Sequence, residues 1–345
     1  MQWVFLQKLN PKNRIKNQYN MTRTIGFVVI GRNEGERLID CFNSIAEYLP
    51  SIIYVDSAST DSSVNQALAR QIHVVELDMT VKFTAARARN AGFDKLVALY
   101  PDVQYVHFVD GDCIVNQDWI INALNFLEMH PQVAVVCGRR KERFPTNSVY
   151  NQLCDIEWNT PIGKAKACGG DAIMRVDVVK QVNGFNNTLI AGEEPELCIR
   201  IRQLGYDVWR LDHVMTLHDA AIFRFGQWWK RTTRAGYAYA EGSHLHGAAP
   251  EYHWVKESRR AWVWGAFMPS AWLFLFLLAP IWSWLVVLLM MVQFLRLTWQ
   301  HRDLGSFAPK YAFFLIVGKF AEAIGQFKYV RHRLFNVKST LIEYK

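Results

Sequence analysis

The sequence predicts an α/β domain followed by a membrane-associated helical segment. Three observations carry this reading. Apolar strand patterns alternate with helical ones from Thr24 to His218, the 35 residues 261–295 contain no charge, and the positive charge sits at the two ends of the chain. At 345 residues, 51% hydrophobic and 20% charged, the chain can bury one large domain plus an appendage, and it is not disordered. Of the net charge of +8, residues 1–23 carry +5 and residues 296–345 carry +6, which leaves the body at −3. A nucleic-acid binder would carry its excess on the folded domain, so no nucleic-acid partner is expected; basic tails suit an anionic membrane surface. Six cysteines (Cys41, Cys113, Cys137, Cys154, Cys168 and Cys198) form no CxxC pair. That argues against a disulfide scaffold or a cysteine zinc site and for a reducing compartment. The first 23 residues lack the apolar run of a secretory signal, and Met21, four residues before the first strand pattern, is a possible start.

The elements follow in order. Strands are expected at 25–30, 51–56, 72–77, 105–110 and 132–138, with helices at about 36–48, 84–99 and 117–129 between them. Such alternation marks a parallel sheet. Residues 139–165 read as an irregular insertion. A strand near 168–174, short helices near 176–182 and 195–204, and two strands, VWRL and VMTLH, complete the domain. The uncharged run 261–295 is too long for one bilayer crossing and short for two. Lys256, Arg259 and Arg260 precede it, and Arg296 and Arg302 follow it, so both ends favour the cytoplasmic side. A short or re-entrant hairpin turning near Ala279-Pro280 satisfies length and charge together. Tyr311–Val317, continued by KFAEAIGQFKYVRHR, reads as an amphipathic helix on the bilayer surface.

In open α/β sheets ligands bind beyond the carboxyl ends of the strands, so the residues there are the candidates. The first strand runs into Gly31-Arg32-Asn33-Glu34-Gly35, a polar turn that is not a GxGxxG dinucleotide loop. Asp56 ends the second strand and can accept hydrogen bonds from a nucleoside, whereas Asp61 reads as the cap of the next helix. The fourth strand ends in Asp110-Gly111-Asp112, two hard carboxylates suited to Mg²⁺ or Mn²⁺ on a diphosphate. Gly192-Glu193-Glu194-Pro195-Glu196 opens a helix; Pro195 suits its first position, which leaves Glu193 and Glu194 outside. Adjacent carboxylates raise a pKa, as a general base requires, although acids at a helix start also oppose its dipole. His218 offers a third metal ligand or a structural histidine. Arg87 and Arg89 face either phosphates or solvent. Gln227-Trp228-Trp229-Lys230-Arg231 suits a bilayer interface or a diphosphate.

The ordered set VVIGRNEGERL, YVDSASTD, FVDGD, CGGDAIMR, GEEPELCIRIRQLG and QWWKR resembles glycosyltransferase family 2 over about Thr24 to Gly236. These are inverting enzymes of the GT-A fold that use nucleotide-diphosphate sugars. The resemblance implies a Rossmann-like nucleotide-sugar domain at 24–219 between a basic extension (1–23) and amphipathic interface helices (220–260), with the hydrophobic hairpin (261–295) and a basic amphipathic segment (296–345) beyond. It implies Glu194 as the base with Glu193 beside it, the Glu-Glu pair standing where the family usually has Glu-Asp. It further implies a metal on Asp112, Asp110 and His218. Donor contacts would come from Arg32, Asn33, Glu34, Asp56, Arg89, Asp110, Gln227 and Arg231, and a sugar or acceptor pocket from Gly169, Gly170 and Asp171. QWWKR departs from the QxxRW of processive members, which puts a polymer synthase in doubt. The activity expected is transfer from a nucleotide-diphosphate sugar, a UDP-sugar by family default, to a hydroxyl or phosphate of a lipid or glycan acceptor, in cell-envelope glycan or glycolipid synthesis. The catalytic domain would lie on the cytoplasmic face of the cell (inner) membrane, with membrane lipids as partners. Nucleotidyl transfer and a non-catalytic membrane adaptor are the competing readings.

Overall fold

The computed structural model describes residues 24–335. The basic extension 1–23, the alternative start at Met21 and the last ten residues of the C-terminal segment lie outside the described residues.

The chain divides into two compact units. The first holds the residues up to Phe144, Asp155–Thr188 and Glu193–Ala220, and it is an α/β unit built on a nine-stranded sheet. Strand β1 (Ile25–Gly31) is buried throughout its apolar run and lies between β2 (Ile52–Asp56) and β4 (Tyr105–Asp110), all parallel. Its register pairs Gly31 with Asp56 and Ile30 with Asp110, so the polar residues ending three strands come out on one edge. β3 (His73–Glu76) extends this parallel half beyond β2. Helices α1 (Glu36–Ser44), α2 (Ser63–Ala69) and α3 (Ala85–Leu99) supply the crossovers. The Thr84 hydroxyl caps α3 by accepting from the Arg87 N–H at 3.1 Å.

The other half of the sheet corrects the all-parallel expectation. β8 (Ala172–Arg175) runs antiparallel to β4 and to β6 (Val133–Glu142). β5 (Cys113–Val115) and β7 (Gly163–Ala165) run antiparallel to β9 (Asp207–His218), which is parallel to β6. The expected pair VWRL and VMTLH is this one strand β9, because the Asp212-His213 interval rides through on register shifts against β6. β6 continues to Glu142, and the expected irregular insertion holds α5 (Val149–Glu157) and β7. Helix α4 (Gln117–Met129) follows β5, α6 (Val176–Gln181) follows β8, and α7 (Glu193–Gln203) begins two residues earlier than expected. Glu193 and Glu194 therefore sit in its first turn rather than before it, where Gly192, at φ 82°, breaks the chain direction.

The second unit comprises Pro145–Cys154, Leu189–Gly192 and the chain from Ala221 onward. Its frame is α8 (Phe225–His246), α9 (Val255–Leu278, with a π turn at Val263–Phe267), α10 (Pro280–Gln300) and α11 (Ala308–Leu334). Helices α9 and α10 are long and apolar enough to cross a membrane, and they break at Ala279, where the hairpin turn was expected. α11 is not a free amphipathic surface helix along its length. It meets α8 at backbone distance, since a Cβ on Gly236 would lie 2.1 Å from the Glu322 carbonyl oxygen, and its Ala312, Ala321, Gly325 and Gln326 are buried.

Candidate active site

The site grows from the sheet register of the first unit. Pairing Phe108 with Ala172 brings Asp171, just before β8, beside Asp110 at the end of β4, and the Asp110 N–H donates to Asp171 Oδ1 at 3.1 Å. Pairing Arg140 with Thr216, and Cys113 with His218, brings β6, β9 and β5 to the same place.

Asp171 is fully buried. Its Oδ2 accepts from Arg140 Nε (3.0 Å), the Thr216 hydroxyl (2.7 Å) and the Cys113 thiol (3.3 Å). It therefore lines no acceptor pocket, contrary to expectation, and acts as the anchor beneath the site. Arg140 Nη2 also bonds Asp110 Oδ2 at 3.0 Å, while its guanidinium lies 5.6 Å from the Trp158 ring, which meets His218 edge-on at 4.7 Å. Gly170 makes this convergence possible. A Cβ there would lie 2.8 Å from Asp110 Oδ2 and 2.9 Å from the guanidinium nitrogens of both Arg140 and Arg89. At Gly169 a Cβ would meet open space, so only this member of the expected pocket trio faces room for a ligand.

Arg89 lies 3% exposed on α3 and is neither a solvated residue nor a surface phosphate ligand. Its Nη2 bonds Asp110 Oδ1 (2.9 Å), and its Nη1 bonds Glu193 Oε1 (2.8 Å) and Glu194 Oε1 (2.9 Å). Burial opposes its charge, yet Glu194, Asp110 and Glu193 outweigh burial and hold the guanidinium firmly protonated. Burial likewise pushes the Asp110 carboxyl up, and Arg89 and Arg140 more than offset it, keeping the group below the usual carboxylate range. Glu194 goes the other way. Burial first, then the charge of Glu193, raise its pKa to about 7 against the pull of Arg89. A carboxylate poised there takes and releases a proton at neutral pH. Arg87, the other arginine of α3, donates to the carbonyls of Asp78, Val81 and Lys82 and holds a loop.

Asp110, Asp112, Cys113 and His218 each bring a ligand atom within 4.8 Å of the others. Asp112 Oδ1 is 3.2 Å from His218 Nε2, and His218 Nδ1 is buried without a hydrogen-bond partner. Two carboxylates and an imidazole fit Mg²⁺ or Mn²⁺. The Cys113 thiol does not: burial, and after it Asp171, push its pKa well up, so it stays protonated and donates.

On the parallel half, Asp56 is buried, and its oxygens accept from the Tyr54 hydroxyl and the Ser59 N–H, both at 2.8 Å. Asn33 Oδ1 accepts from the Thr60 N–H (2.7 Å), and the Gly35 N–H donates to Asp61 (3.1 Å). The turns after β1 and β2 are thereby tied into one platform. Asp61, which also accepts from the Ser63 N–H, is part of that tie, while the N-cap position of α2 falls to Ser62. Glu34 pairs with Arg37 at 2.7 Å, and Arg32 is exposed. Gln227 and Arg231 lie on α8, in the second unit. The Gln227 amide oxygen accepts from the Phe223 and Arg224 N–H groups at 3.0 Å each, so it caps its own helix. Arg140, Thr216, Cys113 and Trp158 were not anticipated from sequence. The RRK run after Gly138 was the available signal for Arg140.

Comparison with known proteins decides the identity. The model of Glycosyl transferase family 2 matches residues 27–180, and that of the N-terminal domain of galactosyltransferase matches residues 154–223. Glycosyltransferase AglE of Haloferax volcanii is 25% identical over 234 residues, which span 63% of this chain and 74% of AglE. Over residues 27–180 the chain belongs to glycosyltransferase family 2. The transferase has the GT-A fold. The structure of the mannosyltransferase PcManGT from Pyrobaculum calidifontis, in complex with GDP-Man and Mn²⁺, superposes with a TM-score of 0.60 at 16% identity, covering 88% of this transferase and 87% of PcManGT.

Proposed function

We propose that this family 2 transferase moves a sugar, with inversion, from a nucleotide-diphosphate donor to a hydroxyl or phosphate of a lipid-linked acceptor at a membrane. The observation that carries the reading is Arg89. One buried guanidinium joins Asp110, on the metal side, to Glu193 and Glu194, on the base side. Glu194 takes the proton of the acceptor hydroxyl as that oxygen attacks the anomeric carbon from the face opposite the nucleotide. The bond to the diphosphate breaks as the new one forms, so a single displacement inverts the centre. With a phosphate acceptor, already ionised, Glu194 orients the nucleophile instead. Asp112, Asp110 and His218 would hold Mg²⁺ or Mn²⁺, which neutralises charge on a departing nucleoside diphosphate when bound. Asp56, fixed by Tyr54 and Ser59, and the Asn33 turn support a nucleoside platform.

Helices α9 and α10, with Lys256, Arg259, Arg260, Arg296 and Arg302 at their outer ends, support attachment to the cytoplasmic face of the cell membrane. That location would supply a lipid-borne acceptor. A UDP-sugar is the default donor, and GDP-mannose stands next because the PcManGT structure holds it.

The test is donor turnover by detergent-purified protein with a panel of nucleotide sugars, Mg²⁺ or Mn²⁺, and a membrane lipid extract. Metal-dependent release of one nucleoside diphosphate, lost in Asp112→Asn and Glu194→Gln, is expected. A nucleoside monophosphate joined to product would indicate nucleotidyl transfer. Neither turnover nor binding of any donor would leave the adaptor reading.

A further inference from the structure

The bend between α9 and α10 has the chemistry of a turn that stays in lipid. Inward from Arg260, the uncharged helix 261–278 has 18 residues, about 27 Å long. Back from Arg296, the stretch 280–295 has 16 residues, about 24 Å long. A hydrocarbon core is about 30 Å thick and helices cross it tilted, so arginines anchored among headgroups leave the bend at or short of the far boundary.

Part of the backbone at the bend is satisfied from within. The Ala279 N–H donates to the Leu275 carbonyl (2.8 Å), and the Trp282 N–H donates to the Ala279 carbonyl (2.9 Å). The buried Ser283 hydroxyl donates to the Pro280 carbonyl (2.7 Å), and Pro280 has no N–H to satisfy. Water would serve these groups in an aqueous loop; in hydrocarbon the chain must do so itself. The side chains agree. Leu277, Leu278 and Ile281 are 70%, 69% and 75% exposed, and no charged, hydroxyl or amide side chain occurs from Ala271 to Trp282. A loop emerging on the far side would set that apolar surface in water. Every flanking charge lies at the opposite end of the hairpin.

We infer that α9 and α10 form a one-sided membrane anchor, entering the bilayer from one face and returning to it, with the Ala279-Pro280 bend held in the far leaflet and never reaching the far aqueous phase. This inference rests on the membrane part of the proposed function and adds its topology.

The experiment uses the full chain in sealed membrane vesicles of both orientations, with Ala279→Cys, Ile281→Cys and a control, Gln300→Cys. The six native cysteines are all buried. A membrane-impermeant maleimide should label position 300 from one side. Positions 279 and 281 should be labelled from neither side, to under about a tenth of the control, until detergent is added. A nitroxide at 281 should collide with oxygen more than with a water-soluble nickel complex. Labelling of 279 or 281 from the side opposite to 300 would overturn the inference in favour of full crossing. Release of the unmodified chain by alkaline carbonate would overturn it by showing no insertion. Donor turnover is measured on the same samples. An inserted, unlabelled hairpin in a chain that consumes no donor refutes the transferase mechanism alone, and a labelled bend in an active chain refutes this topology alone.

Discussion

Replacing Glu194 by glutamine should abolish turnover and make the protein more stable at alkaline pH. The carboxyl moves from its ordinary 4.5 to about 7 on folding, chiefly through burial and then through Glu193. The folded state therefore binds this proton more tightly than the unfolded state does. Stability tied to it is present below 4.5 and is lost as pH rises towards 7. At 1.36 kcal/mol per pKa unit the native chain forgoes about 3 kcal/mol at pH 8 and less than about 1 kcal/mol at pH 5. Glutamine keeps the shape and carries no charge to bury. Glu194→Gln should thus melt about 4–5 °C above the native protein at pH 8 and close to it at pH 5. The assay is thermal unfolding of detergent-purified protein across pH, paired with kcat/KM for the native enzyme, which should fall about tenfold per unit below pH 7. A Tm difference that stays constant from pH 5 to pH 8, or a Glu194→Gln variant that keeps native turnover, would refute the assignment of a raised pKa and of the base to this residue.

Further outcomes follow from the same geometry. Asp112→Asn should weaken Mn²⁺ binding, read by calorimetry or electron paramagnetic resonance without donor, by about 10–100-fold while leaving the far-ultraviolet spectrum unchanged. Asp171→Ala should cost about 3–5 kcal/mol in chemical denaturation, because it strips a buried partner from Arg140, and unaltered stability would exclude its anchoring role. Gly170→Ala should fold yet lose about 10²-fold in kcat/KM, since the new methyl displaces Asp110 and both arginines; Gly169→Ala, whose methyl meets no protein atom, should keep native stability in chemical denaturation. Gly236→Ala should lower the free energy of unfolding by about 1–3 kcal/mol through its clash with the Glu322 carbonyl, and native stability there would refute the close α8–α11 packing.

Local signals in this chain are strong where burial and periodicity agree. The strand 105–110 and the helix 117–129 coincide residue for residue with the expectation, because a buried strand bounded by carboxylates and a helix capped by Asn116 are written in consecutive residues. The break of the apolar hairpin at Ala279-Pro280 was legible for the same reason: proline cannot continue a helix hydrogen-bond ladder. Order along the chain also sufficed to mark the ends of β1, β2 and β4 as the ligand edge. What the amino-acid order alone could not supply was pairing. Asp171 looked like a pocket residue until antiparallel β8 placed it, fully buried, under Asp110 and Arg140. Arg89 looked like one of two equivalent helix cations until α3 turned it inward between three carboxylates, while Arg87 was left holding a loop. Arg140 and Thr216 come from strands 76 positions apart, and no local pattern couples residues whose meeting depends on sheet register. Side-chain chemistry and short-range geometry belong to the sequence; the charge balance that holds Asp110 ionised and Glu194 near neutrality arises only when the tertiary fold sets these groups together out of water.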